Sequence, residues 1–220
     1  MEISSVPLFA GIQAEELPAL FNCVQAGRRQ YAKGSVLLQR GDKTDRLGVV
    51  LSGAVHILRE DFWGNRTIVG LAGPGDVFAE SYSCLPETAL EVSVLAAADT
   101  EVLFLSAERA MTGCEKACRF HSRLSRNLLA LLAGKNLMLT RKMGHMAQRT
   151  TRDKLLSYLS AQALLAGGPS FEIPLDRQQL ADYLAVDRSA MSAALGKLRQ
   201  EGILTFRKNH FRLLRDTEEC

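Results

Sequence analysis

Residues 174–213, PLDRQQLADYLAVDRSAMSAALGKLRQEGILTFRKNHFRL, constrain the fold more than any other stretch of this chain. Asp176, with Gln179 three residues on, has the spacing of a helix-opening capping box. The helix it opens would bury Leu180, Tyr183 and Leu184. Ala185-Val186 then makes a turn, and Asp187 caps a second helix whose apolar stripe is Met191, Ala194, Leu195 and Leu198. Gly202 ends that helix, and Ile203–Phe206 and Phe211–Leu214 read as short strands around Arg207, Lys208, Asn209 and His210. The second helix keeps Arg188, Ser189, Ser192 and Lys197 on the face opposite its stripe. A helix of that kind beside a basic hairpin suits a DNA major groove. The plainer alternative is an ordinary helical hairpin.

Composition sets outer bounds. The chain has 220 residues, enough for one large domain or two modest ones. No apolar run approaches the roughly 20 residues of a membrane span, and MEISSVPLFAGIQAEEL lacks the layout of a signal peptide. A cytoplasmic location with no membrane partner is expected. The net charge of +3 says little alone, but its distribution is uneven: Thr151–Arg215 holds ten cations against six anions. The cysteines, Cys23, Cys84, Cys114, Cys118 and Cys220, form no regular framework, as expected of a reduced compartment.

Before the helical pair the pattern changes twice. Residues 8–22 read as a short helical lead-in. From about Gln25 to Ser106, short apolar runs cut by glycine turns (SVLLQRGD, LGVVLSGAVHILRED, TEVLFLS) predict an all-β roll or sandwich. Ala107 to about Met146 reads as one long helix. Leu124, Leu128, Leu131, Lys135, Met138 and Lys142 recur along it at 3–4 spacing, with Leu132 and Leu139 widening the stripe, which suggests pairing with a second copy. Gly134 within it costs about 1 kcal/mol against alanine. A further helix covers Asp153–Leu165 and ends at Gly167-Gly168-Pro169.

The sequences YAKGSVLLQRGD, LSGAV, DFWGNR and GPGDVFAESYSC, followed by TTRDKLLSYL and LADYLAVDRSAMSAALGKLRQEGIL, together resemble the Crp/Fnr family of bacterial transcription regulators. The likeness covers nearly the whole chain. It implies an α+β fold: a cyclic-nucleotide-binding-like sensor β-roll (jelly roll) over 1–113, a long dimerisation helix over 114–147, and a winged helix-turn-helix over 148–217. It also implies a homodimer through residues 114–147 on a palindromic operator, with RNA polymerase as a further partner. By that likeness Arg177 and Gln178 sit near a phosphate, and Arg188, Ser189 and Ala193 hold the main base-reading positions. Ser192 and Lys197 support them, and Arg207, Lys208 and His210 line the wing. Ala193 stands where many members carry a guanine-reading arginine, and Ala185 where the turn usually has glycine.

In the sensor, the family's cyclic-nucleotide cassette corresponds to Phe78-Ala79-Glu80-Ser81-Tyr82-Ser83 and Ala89-Leu90-Glu91-Val92. Glu80 matches the ribose-binding acid. Ala79 replaces a glycine, Leu90 the phosphate-binding arginine and Glu91 a serine, so a cyclic phosphate would lose a cation and meet a like charge. Leu139 and Thr140 correspond to the base-reading pair on the long helix. The expected effector is therefore an unknown small molecule other than cyclic AMP, and no certain cofactor is implied. Cys114 and Cys118, one helical turn apart, are a weak metal or redox alternative, as is Cys84, and no histidine among His56, His121, His145 and His210 reads clearly as a haem ligand. A third alternative is a protein-interaction module whose DNA reading has decayed. No catalytic constellation is present, and no enzyme is expected.

Overall fold

The computed structural model describes residues 3–112 and 119–214. The chain divides into two compact units, Met1–Gly134 and Lys135–Cys220.

In the first unit the lead-in is not one helix. Three single 3-10 turns, Ile3–Ser5, Pro7–Phe9 and Ala14–Glu16, precede α1 (Leu17–Cys23). Gly11, at φ +71°, turns the chain between the second and third of them. Then come β1 (Gly27–Tyr31), β2 (Val36–Leu38), β3 (Arg46–Ser52), β4 (Val55–Glu60), β5 (Arg66–Ala72), β6 (Val77–Phe78), α2 (Glu80–Ser83), β7 (Ser93–Ala96) and β8 (Thr100–Ser106). They form two antiparallel four-stranded sheets, ordered β1-β8-β3-β6 and β2-β7-β4-β5. Val50, Phe78, Val102 and Phe104 of one sheet share a buried cluster with Val55, Ala72 and Val94 of the other, so the sheets pack face to face. This is the expected β-roll.

The helical run after Ser106 is interrupted. α3 (Ala107–Met111) starts on the Ser106 hydroxyl and stops at Thr112, whose backbone is extended (φ −82°, ψ 140°). Thr112 Oγ1 bonds back to the Glu108 carbonyl, a local bond that competes with helix continuation. α4 (Arg119–Met146) is the long helix. The expected stripe divides between two environments. Leu124 and Leu128 are buried in the sensor core with Leu47, Leu103 and Leu105, and Leu131 and Leu132 pack at its edge. Met138 and Leu139 of that stripe stay open, as do Leu129, Leu137 and Met143 outside it, each more than half exposed. A 3–4 stripe long enough for two jobs is divided because the β-roll claims its first turns.

The second unit contains α5 (Thr151–Ala166), β9 (Ser170–Glu172), α6 (Arg177–Leu184), α7 (Arg188–Gln200), β10 (Leu204–Arg207) and β11 (His210–Leu213). The strands form one sheet, β10-β11-β9. Leu155, Leu159, Leu180, Leu184, Leu195 and Leu198 are at most 1% exposed. At about 1.5–3 kcal/mol for each buried leucine, this core rather than the three- and four-residue strands carries the unit's stability. β9 was missed from sequence. Its signal was Phe171 and Ile173, both buried and two residues apart, beyond Pro169.

His145, near the end of α4, is buried in this unit. Its Nδ1 lies 2.8 Å from Ser157 Oγ, and its ring meets the Tyr158 ring edge-on at 5.7 Å. Burial pushes its pKa below the ordinary 6.5. The unfolded chain therefore binds a proton that the folded chain resists, so this contribution to stability is present above about pH 6.5 and is lost as pH falls through the lowered folded value. The melting temperature of the C-terminal unit should drop as pH is taken from 7 toward 5. His145→Gln should flatten that slope, as followed by circular dichroism across the same range.

Candidate nucleic-acid interface

The helix pair is set by its caps. Asp176 accepts from Gln179 N (2.8 Å) while Gln179 Oε1 accepts from Asp176 N (2.9 Å), which completes the capping box. α6 ends on Ala185 in the left-handed region (φ 49°), and Val186 N donates to the Ala181 carbonyl. Asp187 then opens α7, accepting from Ser189 N and Ala190 N at 2.8 and 2.9 Å. The Ser189 hydroxyl bond, first, and these backbone bonds hold the Asp187 carboxyl below its usual range. Ala185 occupies a conformation that costs an L-residue about 1–2 kcal/mol. Ala185→Gly should therefore raise the stability of the C-terminal unit by about 1 kcal/mol, read as a shifted urea midpoint with an unchanged slope.

α7 buries Met191, Leu195 and Leu198 and exposes Arg188, Ser189, Ser192, Ala193 and Lys197. Arg188 has no ion pair among the described residues. Both serine hydroxyls are already donating, Ser189 to Asp187 and Ser192 to the Arg188 carbonyl at 2.9 Å. Each hydroxyl is therefore left mainly as an acceptor toward any further partner. Gln178 is exposed and its amide donates to Asp182 (2.9 Å).

The wing is tighter than its sequence suggested. Arg207 pairs with His210 across a two-residue turn, Lys208-Asn209, with Lys208 at φ 52°. Arg207, Lys208 and His210 are exposed, and His210 Nε2 lies 3.3 Å from the Glu172 carboxylate on β9. Arg177, which the family resemblance puts near a phosphate, lies partly buried against the wing. Its guanidinium sits 5.1 Å from the ring centroids of both Phe206 and Phe211, and Nη2 donates to the Lys208 carbonyl at 2.8 Å. Burial lowers its pKa, and Nη1 is buried without a hydrogen-bond partner among the described residues. Arg177 ties the start of α6 to the wing turn, a role hidden from sequence because it depends on two aromatic residues about thirty positions away.

In the sensor unit, Glu80 and Ser83 are buried on α2, Ser81 is exposed and Tyr82 half-buried. Ala79 stands in the left-handed region (φ 59°), where glycine is at ease, so its side chain is held at some backbone strain. Leu90 is 2% exposed, and its backbone exchanges hydrogen bonds with Asp42 and Gly41. Glu91 is exposed. A cleft of about 240 Å³ is lined by Gly27, Arg29, Tyr31, Leu37, Leu38, Thr44, Arg46 and Phe104 and includes none of these cassette residues. Leu139 and Thr140 lie on the part of α4 in the other unit. Leu139 is 57% exposed, and Thr140 Oγ1 is 3.4 Å from Asn136 Oδ1. Cys114 and Cys118 lie outside the described residues. The Cys84 thiol is pushed up by burial and then by the Glu80 charge, which disfavours a reactive thiolate and argues against its redox role.

A capped helix pair with a two-residue wing, carried on the same chain as a β-roll, has the architecture of a winged helix-turn-helix protein with a second, β-rich domain. Residues 28–116 match the model of the cyclic nucleotide-binding domain, and residues 153–218 that of the Crp-like helix-turn-helix domain. The chain is 30% identical over 199 residues to the cyclic AMP receptor protein of Thermus thermophilus, covering 90% of this chain and 88% of that protein. It is 24% identical to the transcriptional activator protein FnrL of Cereibacter sphaeroides over 80% of this chain and 71% of that one. The crystal structure of the Thermus thermophilus catabolite activator protein superposes with a TM-score of 0.50 at 27% identity, covering 94% of this chain and 93% of that one. The chain belongs to the Crp/Fnr family of bacterial transcription regulators. Among the described residues no helix is long and apolar enough to cross a membrane.

Proposed function

We propose that two copies of this chain bind a palindromic operator and that a small-molecule effector other than cyclic AMP controls the binding. The observation that carries the DNA reading is the exposed face of α7, where Arg188, without an ion pair among the described residues, stands beside two acceptor serines. Arg207 and Lys208 of the wing supply phosphate-binding charge, which anchors without reading sequence. Pairing is favoured by the open apolar side chains of α4, from Leu129 to Met143. The effector reading rests on Leu90. An apolar, buried side chain where the family places a phosphate-binding arginine cannot make a charge-assisted bond, and Glu91 beside it adds a like charge. A β-roll of this class is the module that would hold the effector, and RNA polymerase is the further partner that family membership implies. The chemistry required is recognition and switching, with no catalytic step.

Selection of bound duplexes from a random pool tests this directly, run with the protein alone, with cyclic AMP and with a panel of other small molecules. The expected result is a two-fold symmetric site with half-sites about 34–36 Å apart, enriched by a ligand other than cyclic AMP. A protein that stays monomeric at micromolar concentration and enriches no symmetric site would overturn the DNA reading. Enrichment by cyclic AMP alone would overturn the effector reading.

A further inference from the structure

We propose that Cys23 is an activated thiol that hydrogen peroxide oxidises, with His121 as its base. Cys23 is the last residue of α1 and is half-buried. Its Sγ lies 3.4 Å from Nδ1 of His121, which sits in the first turn of α4 and is 3% exposed. The other ring nitrogen, Nε2, bonds the main-chain carbonyl of Arg109 on α3. A carbonyl oxygen only accepts, so Nε2 carries the ring proton and Nδ1 presents its lone pair to the thiol. The thiol proton passes along that contact to leave a thiolate facing an imidazolium.

Nucleophile, base and a third group that orients the base form the arrangement that makes a cysteine reactive. The C-terminal end of α1 opposes a thiolate through its partial negative charge. The imidazolium at the sulfur answers it, and the Arg109 guanidinium donates to the Cys23 carbonyl oxygen at that helix end, Nη1 to O 3.4 Å. Cys84 in the same unit is likewise half-buried but is influenced by the Glu80 carboxylate, and serves as an internal control.

In the reaction the Cys23 sulfur attacks one oxygen of hydrogen peroxide. An S–O bond forms and the O–O bond breaks. The departing hydroxide takes the Nδ1 proton and leaves as water. Sulfur loses two electrons, peroxide gains them, and Cys23 becomes a sulfenic acid. This inference goes beyond the DNA-binding reading and does not depend on it.

The test uses the reduced full-length protein without DNA. Alkylation of each cysteine by iodoacetamide is followed by mass spectrometry from pH 5.5 to 9. Cys23 should titrate below the ordinary thiol value of about 8.5, and at pH 6.5 it should react at least ~10-fold faster than Cys84. One equivalent of hydrogen peroxide followed by dimedone should place the adduct on the Cys23 peptide. His121→Gln keeps a donor for the Arg109 carbonyl but removes the base, and should return Cys23 to ordinary thiol behaviour. A Cys23 midpoint at or above the ordinary value, a midpoint unmoved in a folded His121→Gln protein, or no dimedone adduct at Cys23 would each overturn the proposal. Should His121→Gln fail to fold, the pH profile and the adduct in the parent protein decide it.

Discussion

Gly53→Ala should unfold the sensor unit at markedly lower denaturant, with a loss of about 2–5 kcal/mol that combines left-handed backbone strain and overpacking. Gly53 joins β3 to β4 at φ +77°. A Cβ built there would lie 2.3 Å from the Asp99 carbonyl oxygen and 2.5 Å from Thr100 Oγ1. Neither neighbour can yield cheaply. Asp99 offers main chain, and Thr100 is 3% exposed and tied to both polar groups of Ala54, accepting from its N–H at 3.1 Å and within 2.9 Å of its carbonyl. Any shift therefore disturbs β8, the central partner of both β1 and β3. Urea unfolding monitored separately for the two units should show the sensor transition moving while the C-terminal transition stays in place. A loss below about 1 kcal/mol would mean that the β3–β4 turn relaxes more freely than its contacts indicate.

Arg188→Ala should weaken binding to the selected operator by about 1–3 kcal/mol, roughly 5- to 150-fold, while binding to scrambled duplex changes little. The side chain is exposed at the first turn of α7 and is absent from the helix caps, so its removal leaves the fold intact. Lys208→Ala is the contrasting case. Its backbone carbonyl still accepts from Arg177, and one non-glycine residue replaces another at positive φ, so the wing is preserved while a phosphate-binding charge is lost. Affinity should fall on every sequence, and the dependence of log K on log salt should flatten by about one unit. Titration of parent and both variants against operator and scrambled duplex at several salt concentrations separates the two. Equal losses on both duplexes for Arg188→Ala would remove it from base reading.

The helix-turn-helix was legible before any coordinates because its signals are local. Asp176 with Gln179 and Asp187 with Ser189 lie within one helical turn, and the apolar spacing from Leu180 to Leu198 repeats at the helical period. The β-roll was legible as a class from its glycine-cut runs. Its pairing, β1 with β8 and β2 with β7, joins segments more than fifty residues apart and left no local mark. The same holds for the candidate site. The exposure of Arg188, Ser189, Ser192 and Lys197 followed from periodicity, but the inward turn of Arg177 did not.

What the amino-acid order determined by itself is therefore the inventory of short-range structure: caps, turns and helix faces. Only the tertiary structure decided how long-range packing spends those faces. It gave the first turns of α4 to the sensor core and left Leu129, Leu137, Met138, Leu139 and Met143 open, it stacked Arg177 on Phe206 and Phe211, and it brought Cys23 to His121 across 98 positions of chain. The physical reason is one of range. Hydrogen bonds in caps and turns are set by neighbours along the chain, whereas burial and side-chain pairing depend on which distant surfaces compete for the same apolar stripe.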